Sequence, residues 1–370
     1  MNASAGVLPS QTLSALIKQN VINASTPFLS EQIQPASIDL RLGFKAWRIQ
    51  ASFLPGTGST VEEKLDKFAL HELDLKQGAV LEKGCVYLVE LQESLSLPDN
   101  LKGMANPKSS TGRLDVFTRL ITDYAREFEM VAAGYSGPLY AEISPRTFSV
   151  LVRTGSRLSQ LRLRAGSAII DDSELSSLQH DFGLVRSDAS LSAAALINDG
   201  IGLSVNLQAE LQDDIIGWRA RKHAGLVDID KVGGLEKSKF WEAVTTTDLV
   251  GGGLVLNPDE FYILASREYV CVPDNFAAEM RAYDTKVGEF RAHYAGFFDP
   301  GFGMGSGGGG KTRAVLEVRS HDVPFLVEQD QIVCRLVYER MSQTPESLYG
   351  QAKSGSNYQA QGLKLAKHFK

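Results

Sequence analysis

The chain has 370 residues, 43% hydrophobic and 22% charged, with a net charge of −6 and an isoelectric point near 5.6. Its length suits two domains. Its acidic balance argues against a protein that coats nucleic acid, yet leaves room for a small anionic ligand held by local cations.

Cys85, Cys271 and Cys334 stand far apart with no Cys-x-x-Cys pair, so neither a disulfide framework nor a zinc knuckle is expected. No stretch approaches the roughly 18 apolar residues of a membrane span. Met1 to Pro9 lacks a basic segment followed by a long apolar run, so no signal peptide is expected and the cytoplasm is the expected location.

In chain order, the elements are short. Leu13, Leu16 and Ile17 share one face of a helix expected over residues 10–18, and a second helix is expected over residues 61–70. Val86-Tyr87-Leu88-Val89 is a β-rich run, and Leu158-Ser159-Gln160-Leu161-Arg162-Leu163 alternates as a strand does. Residues 171–200, opening on Asp171-Asp172-Ser173-Glu174, form a connector with room for a short helix. A third helix is expected over residues 235–244, with strands at Phe261-Tyr262-Ile263-Leu264 and Ile332-Val333-Cys334-Arg335-Leu336-Val337. The glycine-rich run 303–310 reads as a surface loop, with a flap over a ligand as its functional alternative. Many short strands and little helix indicate a mainly β fold, a barrel or jelly-roll-like sandwich.

The same module occurs twice. Residues 79–98 align with 254–273: Tyr87 falls on Tyr262 and Pro98 on Pro273, a shift of 175 residues (273 − 98). The same shift carries Glu142 to Glu317 and Leu161 to Leu336. Ser37-Ile38-Asp39-Leu40-Arg41 echoes Ser204-Val205-Asn206-Leu207-Gln208, and Trp47-Arg48 echoes Trp218-Arg219, with smaller shifts. The expected division is a first copy at 1–170, a connector at 171–200 and a second copy at 201–370.

Lys108-Ser109-Ser110-Thr111-Gly112-Arg113 packs hydroxyls, a small-residue turn and two cations into six positions. A triphosphate needs such a set: hydroxyls and backbone N–H groups converging on its oxygens, with fixed positive charge beside them. Arg113 can bind phosphate bidentately and Lys108 acts as a point charge. The same residues also make an ordinary polar surface turn.

Together the motifs resemble the dCTP deaminase family of the dUTPase-like superfamily, in its long tandem-domain form. Gln34-Pro35-Ala36-Ser37-Ile38-Asp39-Leu40-Arg41-Leu42-Gly43 resembles that family's N-terminal signature. Lys108 to Leu114 resembles its triphosphate-binding R-S-S-x-x-R-L motif, with Lys in place of the first Arg. Gly134-Tyr135-Ser136-Gly137 with Tyr140-Ala141-Glu142 resembles the segment that ends in the family's catalytic glutamate. The second copy supplies Asp299-Pro300-Gly301, Val315-Leu316-Glu317 and a tail, Asn357-Tyr358-Gln359-Ala360-Gln361-Gly362, similar to the family's K-Y-Q-x-Q.

The resemblance implies two tandem dUTPase-like distorted barrels and hydrolytic deamination of dCTP to dUTP and ammonia. It also implies a homo-oligomer, trimer-like, with sites shared between copies. Copy 1 keeps the phosphate motif but has Ala132-Ala133-Gly134 where D-P-G belongs; copy 2 keeps D-P-G and the tail but has Tyr283-Asp284-Thr285-Lys286-Val287-Gly288 at the phosphate motif. An aspartate there repels phosphate. One shared site is therefore expected. Lys108, Ser109, Ser110 and Arg113 come from copy 1; Asp299, Glu317 and the tail residues Tyr349, Tyr358 and Gln361 come from copy 2 of the same or a neighbouring chain.

Glu317 leads Glu142 as the catalytic base, although a strand glutamate is commonly just solvated. Thr122 and Asp123 match the loop that holds the attacking water in the family. Lys311 and Arg313 either steer anionic substrate or form a solvated face.

A positioned, partly desolvated carboxylate can activate water for attack on C4 and shuttle its proton to ammonia. The zinc-deaminase pattern H-x-E…P-C-x-x-C is absent, so no zinc is expected. Magnesium is expected to enter with the triphosphate, bridging its oxygens. The expected ligands are dCTP, dUTP and dTTP, with neither nucleic acid nor membrane as partner. Two alternatives stand beside deamination: a dUTPase or bifunctional enzyme using the same pocket, and a catalytically silent nucleotide-binding or structural barrel.

Overall fold

The computed structural model describes residues 4–187, 196–209, 214–282, 291–292, 296–304, 311–320, 322–351 and 358–370. Long antiparallel strands carry the fold. In the front half, Val86–Ser96 pairs with Leu42–Ile49 on one side and Ser136–Pro145 on the other, and Val116–Thr122 lies beyond Ser136–Pro145. A second sheet sets Ser159–Ala165 against Gly6–Val7, Ile38–Leu40 and Leu101–Pro107. In the back half, Phe261–Val270 pairs with Ile215–Ala220 and Arg313–Arg319, while Ile332–Arg340 pairs with Ile201–Asn206 and Phe276–Ala282. The architecture is β-rich, as expected, and built mainly from antiparallel sheets.

The repeat survives as geometry. Glu142 lies opposite Leu88 and Glu317 opposite Ile263. The Tyr87 hydroxyl accepts from the Glu82 N–H at 3.0 Å, and the Tyr262 hydroxyl from the Asn257 N–H at 3.3 Å. Trp47 faces Leu88 as Trp218 faces Ile263, so the Trp-Arg echo is structural. The other echo is displaced. Ile38 pairs with Leu161, and the residue on Leu336 is Ile201, not Val205. The true counterpart of residues 38–42 is 201–205. A strand alternates with period two, so a slip of four keeps every side chain on its face and imitates the correct alignment.

Ser10–Lys18 is helical, with Leu13 and Leu16 buried. Val61–Phe68 begins at a capping box in which Thr60 and Glu63 bond each other's backbone N–H groups. It ends two residues before the expected 70, because Ala69 opens the strand Ala69–Asp74. The connector holds a helix, Asp172–Phe182, capped by the Asp171 carboxylate on the Glu174 N–H and ended by Gly183 at φ 60.

Residues 235–244 are not a helix. A 3-10 turn at Lys237–Lys239 leads into the strand Trp241–Thr245, which pairs with Ile215–Ala220. Trp241 is buried among Phe148, Phe261 and Phe369. An aromatic cluster and an available strand edge outweigh the helical spacing of Phe240, Trp241 and Val244.

The cores do not separate cleanly. Leu161, Val150 and Leu88's neighbours Tyr87 and Val89 pack in one cluster with Trp241, Phe261, Ile263, Val315, Leu365 and Ala366 of the back half. A second cluster lies wholly beyond residue 169, from Ile170 to Tyr338.

Candidate active site

One cavity is walled by both halves of this chain. Lys108, Ser109, Ser110 and Arg113 face Asp299, Glu317, Tyr349, Tyr358 and Gln361 across it. Pro107 ends the strand Leu101–Pro107, and Lys108 opens the turn Ser109–Gly112. The Lys108 ammonium pairs with the Asp39 carboxylate, and Arg157 lies 3.8 Å from the same group. Asp39 Oδ1 is buried and has no hydrogen-bond partner among the described residues.

Arg113 is buried, and its guanidinium fork is engaged by the tail. Nη1 donates to the Lys364 carbonyl at 2.9 Å and Nη2 to Gln361 Oε1 at 3.0 Å, while the Tyr358 ring stacks 3.9 Å away. Its Nε stands 3.8 Å from Glu317 Oε1. Arg113 thus ties the tail to the carboxylate, and its two terminal nitrogens already have partners.

Glu317 sits in the strand Arg313–Arg319 and is 4% exposed. Burial pushes its carboxyl up to about 8, against the lowering pull of Arg113. Asp299 is buried, and its carboxyl is likewise raised by burial; Arg162 and Lys108 oppose the rise and Asp39 adds to it. After it, Gly301 holds φ 94, and a Cβ there would meet Leu348 Cβ at 2.9 Å. Only glycine lets this turn close on the segment that carries Tyr349, whose N–H donates to the Pro300 carbonyl at 2.8 Å.

The tail is clipped down on both sides of the cavity. Gln361 exchanges bonds with the Arg313 backbone, at 2.9 Å through its carbonyl and 3.1 Å through its side-chain amide. The Tyr358 hydroxyl accepts from the Lys367 N–H at 3.2 Å. Beyond, Leu365 and Ala366 are buried, His368 Nε2 lies 2.9 Å from the Ile229 carbonyl, and the Phe369 ring meets Phe240 and Trp241. Burial depresses His368 to about 4, so the ring is neutral near pH 7.

Other sequence candidates lie elsewhere. Glu142 is ion-paired to Arg119, whose guanidinium is 3.6 Å from the Phe128 ring. Thr122 is buried, and Asp123 Oδ1 accepts from the Val61 N–H at 2.7 Å, which fixes the start of Val61–Phe68. None of the three lines the cavity. Arg313 is neither a steering charge nor a solvated one: it is buried, with Nη1 on the Ser266 carbonyl at 2.9 Å. Lys311 reaches toward the Tyr269 ring. The Tyr283 to Gly288 segment, residues 305–310 and Asn357 lie outside the described residues. Sequence reasoning missed Gln160, Met280, Phe297, Phe298 and Phe302 in the lining. The aromatic run just before Asp299 was the available signal.

The model for the N-terminal domain of 2'-deoxycytidine 5'-triphosphate deaminase matches residues 4–167, and that for its C-terminal domain matches residues 171–369. A "dCTP deaminase, dUMP-forming" of Methanobrevibacter smithii is 32% identical over 127 residues, 34% of this chain and 60% of the relative. A dCTP deaminase of Haloarcula marismortui is 30% identical over 133 residues, 35% of this chain and 65% of the relative. The match therefore spans only about three-fifths of the length of these two curated relatives. The crystal structure of 2'-deoxycytidine 5'-triphosphate deaminase from Agrobacterium tumefaciens is 52% identical, with a TM-score of 0.86 over 91% of this chain and 99% of that one. With both halves matched in order and a close structural neighbour along nearly the whole chain, this chain belongs to the dCTP deaminase family.

Proposed function

We propose that this chain is a dCTP deaminase that converts dCTP and water to dUTP and ammonia at the cavity between its halves. The observation that carries the reading is Glu317: a dry carboxylate, raised to about 8, in a cavity also lined by the hydroxyls and cation of Lys108 to Ser110. Ionised Glu317 takes a proton from the attacking water as the C4–O bond forms, then delivers it to the leaving amine as the C4–N bond breaks. A group that titrates near 8 can both accept and release that proton at ordinary pH.

Lys108, Ser109 and Ser110 bind the triphosphate, and Asp299, Tyr349 and Tyr358 shape the space for the nucleoside. Glu317 is the lining carboxylate assigned this proton transfer, and a mechanism without zinc is part of the same proposal. Magnesium bound with the triphosphate would neutralise phosphate charge. Asp39 lies outside the lining and is already paired with Lys108, so magnesium would be held by the triphosphate oxygens themselves. Among the described residues, no helix is long and apolar enough to cross a membrane. A homo-oligomer in the cytoplasm, trimer-like in its packing, is part of the same proposal.

A second reading is kept by the Methanobrevibacter relative, a dUMP-forming dCTP deaminase. Supplying dCTP and, in a separate assay, dUTP while measuring ammonia and pyrophosphate tests both. Ammonia alone supports the deaminase. Ammonia with pyrophosphate supports the bifunctional enzyme. Pyrophosphate from dUTP without ammonia from dCTP supports a dUTPase, and neither product from either nucleotide leaves a silent binding protein.

A further inference from the structure

Arg162 and Arg164 alternate with Leu161 and Leu163 along Ser159–Ala165, which would put them on a solvent face in an isolated barrel. Here that face is covered by the back half, and Arg162 is 0% exposed. Arg162 Nη1 donates to Glu339 Oε2 at 3.0 Å and to the Ala278 carbonyl at 3.1 Å. Arg164 Nη2 donates to Glu339 at 2.8 Å and to Glu279 at 3.4 Å, and the Asn106 amide to Glu279 at 3.3 Å. The repeat makes the arrangement asymmetric: the shift of 175 places Val337 on Arg162, Glu339 on Arg164 and Glu279 on Met104. Two arginines of one copy thus meet two glutamates of the other.

Arg162 reaches past this junction into the cavity wall. Its Nη2 stands 3.4 Å from the Phe298 carbonyl oxygen and 3.5 Å from Asp299 Oδ1, and its guanidinium lies 3.9 Å from the Phe297 ring centroid. Phe297, Phe298 and Asp299 are consecutive lining residues. A planar fork whose one arm is fixed by Glu339 holds its other arm in a set place, which a flexible ammonium does not.

We propose that Arg162 is a positioning residue for deamination, fixing the Phe297 to Asp299 wall with one arm while Glu339 anchors the other. It rests on the deaminase reading above. The back half's wall then takes its working geometry only when docked on the front half. The charged and titratable groups around Asp299 are Arg162, Lys108, Asp39 and Tyr349.

The test measures dCTP deamination across pH in wild type, Arg162→Lys, and the double variant Arg162→Met with Glu339→Gln. The lysine keeps the charge opposite Glu339 but loses the second arm; the double variant removes both charges together. Both are expected to raise KM about fivefold or more with a smaller fall in kcat. Both also lose the guanidinium beside Asp299, so the pH at which KM responds to Asp299 protonation moves upward. Wild-type KM and an unshifted pH profile in either folded variant overturn the proposal. So does failure of both to fold, because Arg162 then serves the junction alone. A wild-type protein that binds dCTP but releases no ammonia overturns the deaminase reading itself, and the inference with it.

Discussion

Arg113 and Glu317, 204 residues apart in sequence (317 − 113), approach to 3.8 Å between Nε and Oε1 with both side chains nearly dry. The pair joins the front half's cation to the back half's carboxylate. Burial favours the neutral carboxyl and the guanidinium favours the ionised one; the balance leaves the group near 8.

The first prediction follows from that balance. A base must be ionised to take a proton from water. With Glu317 near 8, kcat/KM therefore rises with pH, close to tenfold per unit at low pH, and levels off above about 8. Arg113→Ala removes the main opposing charge, so the rising limb moves to higher pH. The same change strips Gln361 Oε1 and the Lys364 carbonyl of their donor, loosening the tail, and charged hydrogen bonds of this kind are worth ~1.5–3 kcal/mol each. Rate profiles of the two proteins check this; an unshifted limb in Arg113→Ala removes Arg113 from control of Glu317.

The two glutamates at the same repeat position have different fates. Glu317→Gln keeps the shape and loses the base, so deamination is expected to fall by at least about 10²-fold. Glu142→Gln leaves the cavity untouched and is expected to keep its rate within about twofold. It leaves Arg119 without its ion pair, however, and is expected to cost roughly 1–2 kcal/mol of stability. Ammonia release and urea midpoints separate these outcomes. A dead Glu142→Gln enzyme beside an active Glu317→Gln enzyme reverses the assignment.

Glu317 also makes stability depend on pH. Its folded carboxyl is raised from the ordinary 4.5 to about 8, so the folded state holds its proton longer than the unfolded chain does. This contribution to stability is fully present below about 4.5 and is lost as pH rises through about 8. Glu317→Gln has no such proton to lose. Its Tm relative to wild type is therefore expected to increase between pH 5 and 9, by a few degrees. A constant difference across that range contradicts the raised carboxyl.

The repeat was legible because each copy keeps its tyrosine, proline and strand glutamate in one register, and strand pairing depends on register. The cavity's two walls were legible from complementary losses in the two motifs. What the string could not carry was contact between distant segments. Arg113 looks like a free phosphate clamp until Gln361 and Lys364 are folded onto it. Arg162 and Arg164 look like the wet face of a strand until Glu339 and Glu279 cover them. Opposite charges at the matched positions 164 and 339 were the readable hint. The strand at Trp241 was misread because helical spacing is local, whereas its ring partners come from residues 148, 261 and 369.

The last residues give the tail its anchor. Phe369 packs 5.3 Å from Phe240 and 5.8 Å from Trp241, and Lys370 N–H reaches the Leu235 carbonyl at 2.9 Å. Eight residues upstream, Gln361 holds Arg113, and Arg113 faces Glu317. Loss of the Phe369 ring releases the far end of a segment whose near end closes the cavity. Phe369→Ala is therefore expected to cost about 1–3 kcal/mol of stability. It is also expected to raise KM for dCTP more than it lowers kcat, since the loosened tail must be ordered again at each binding event. Urea unfolding and steady-state kinetics measure the two effects. A variant that loses stability while its KM stays at the wild-type value uncouples the anchor from the site, and assigns Phe369 to the aromatic core alone.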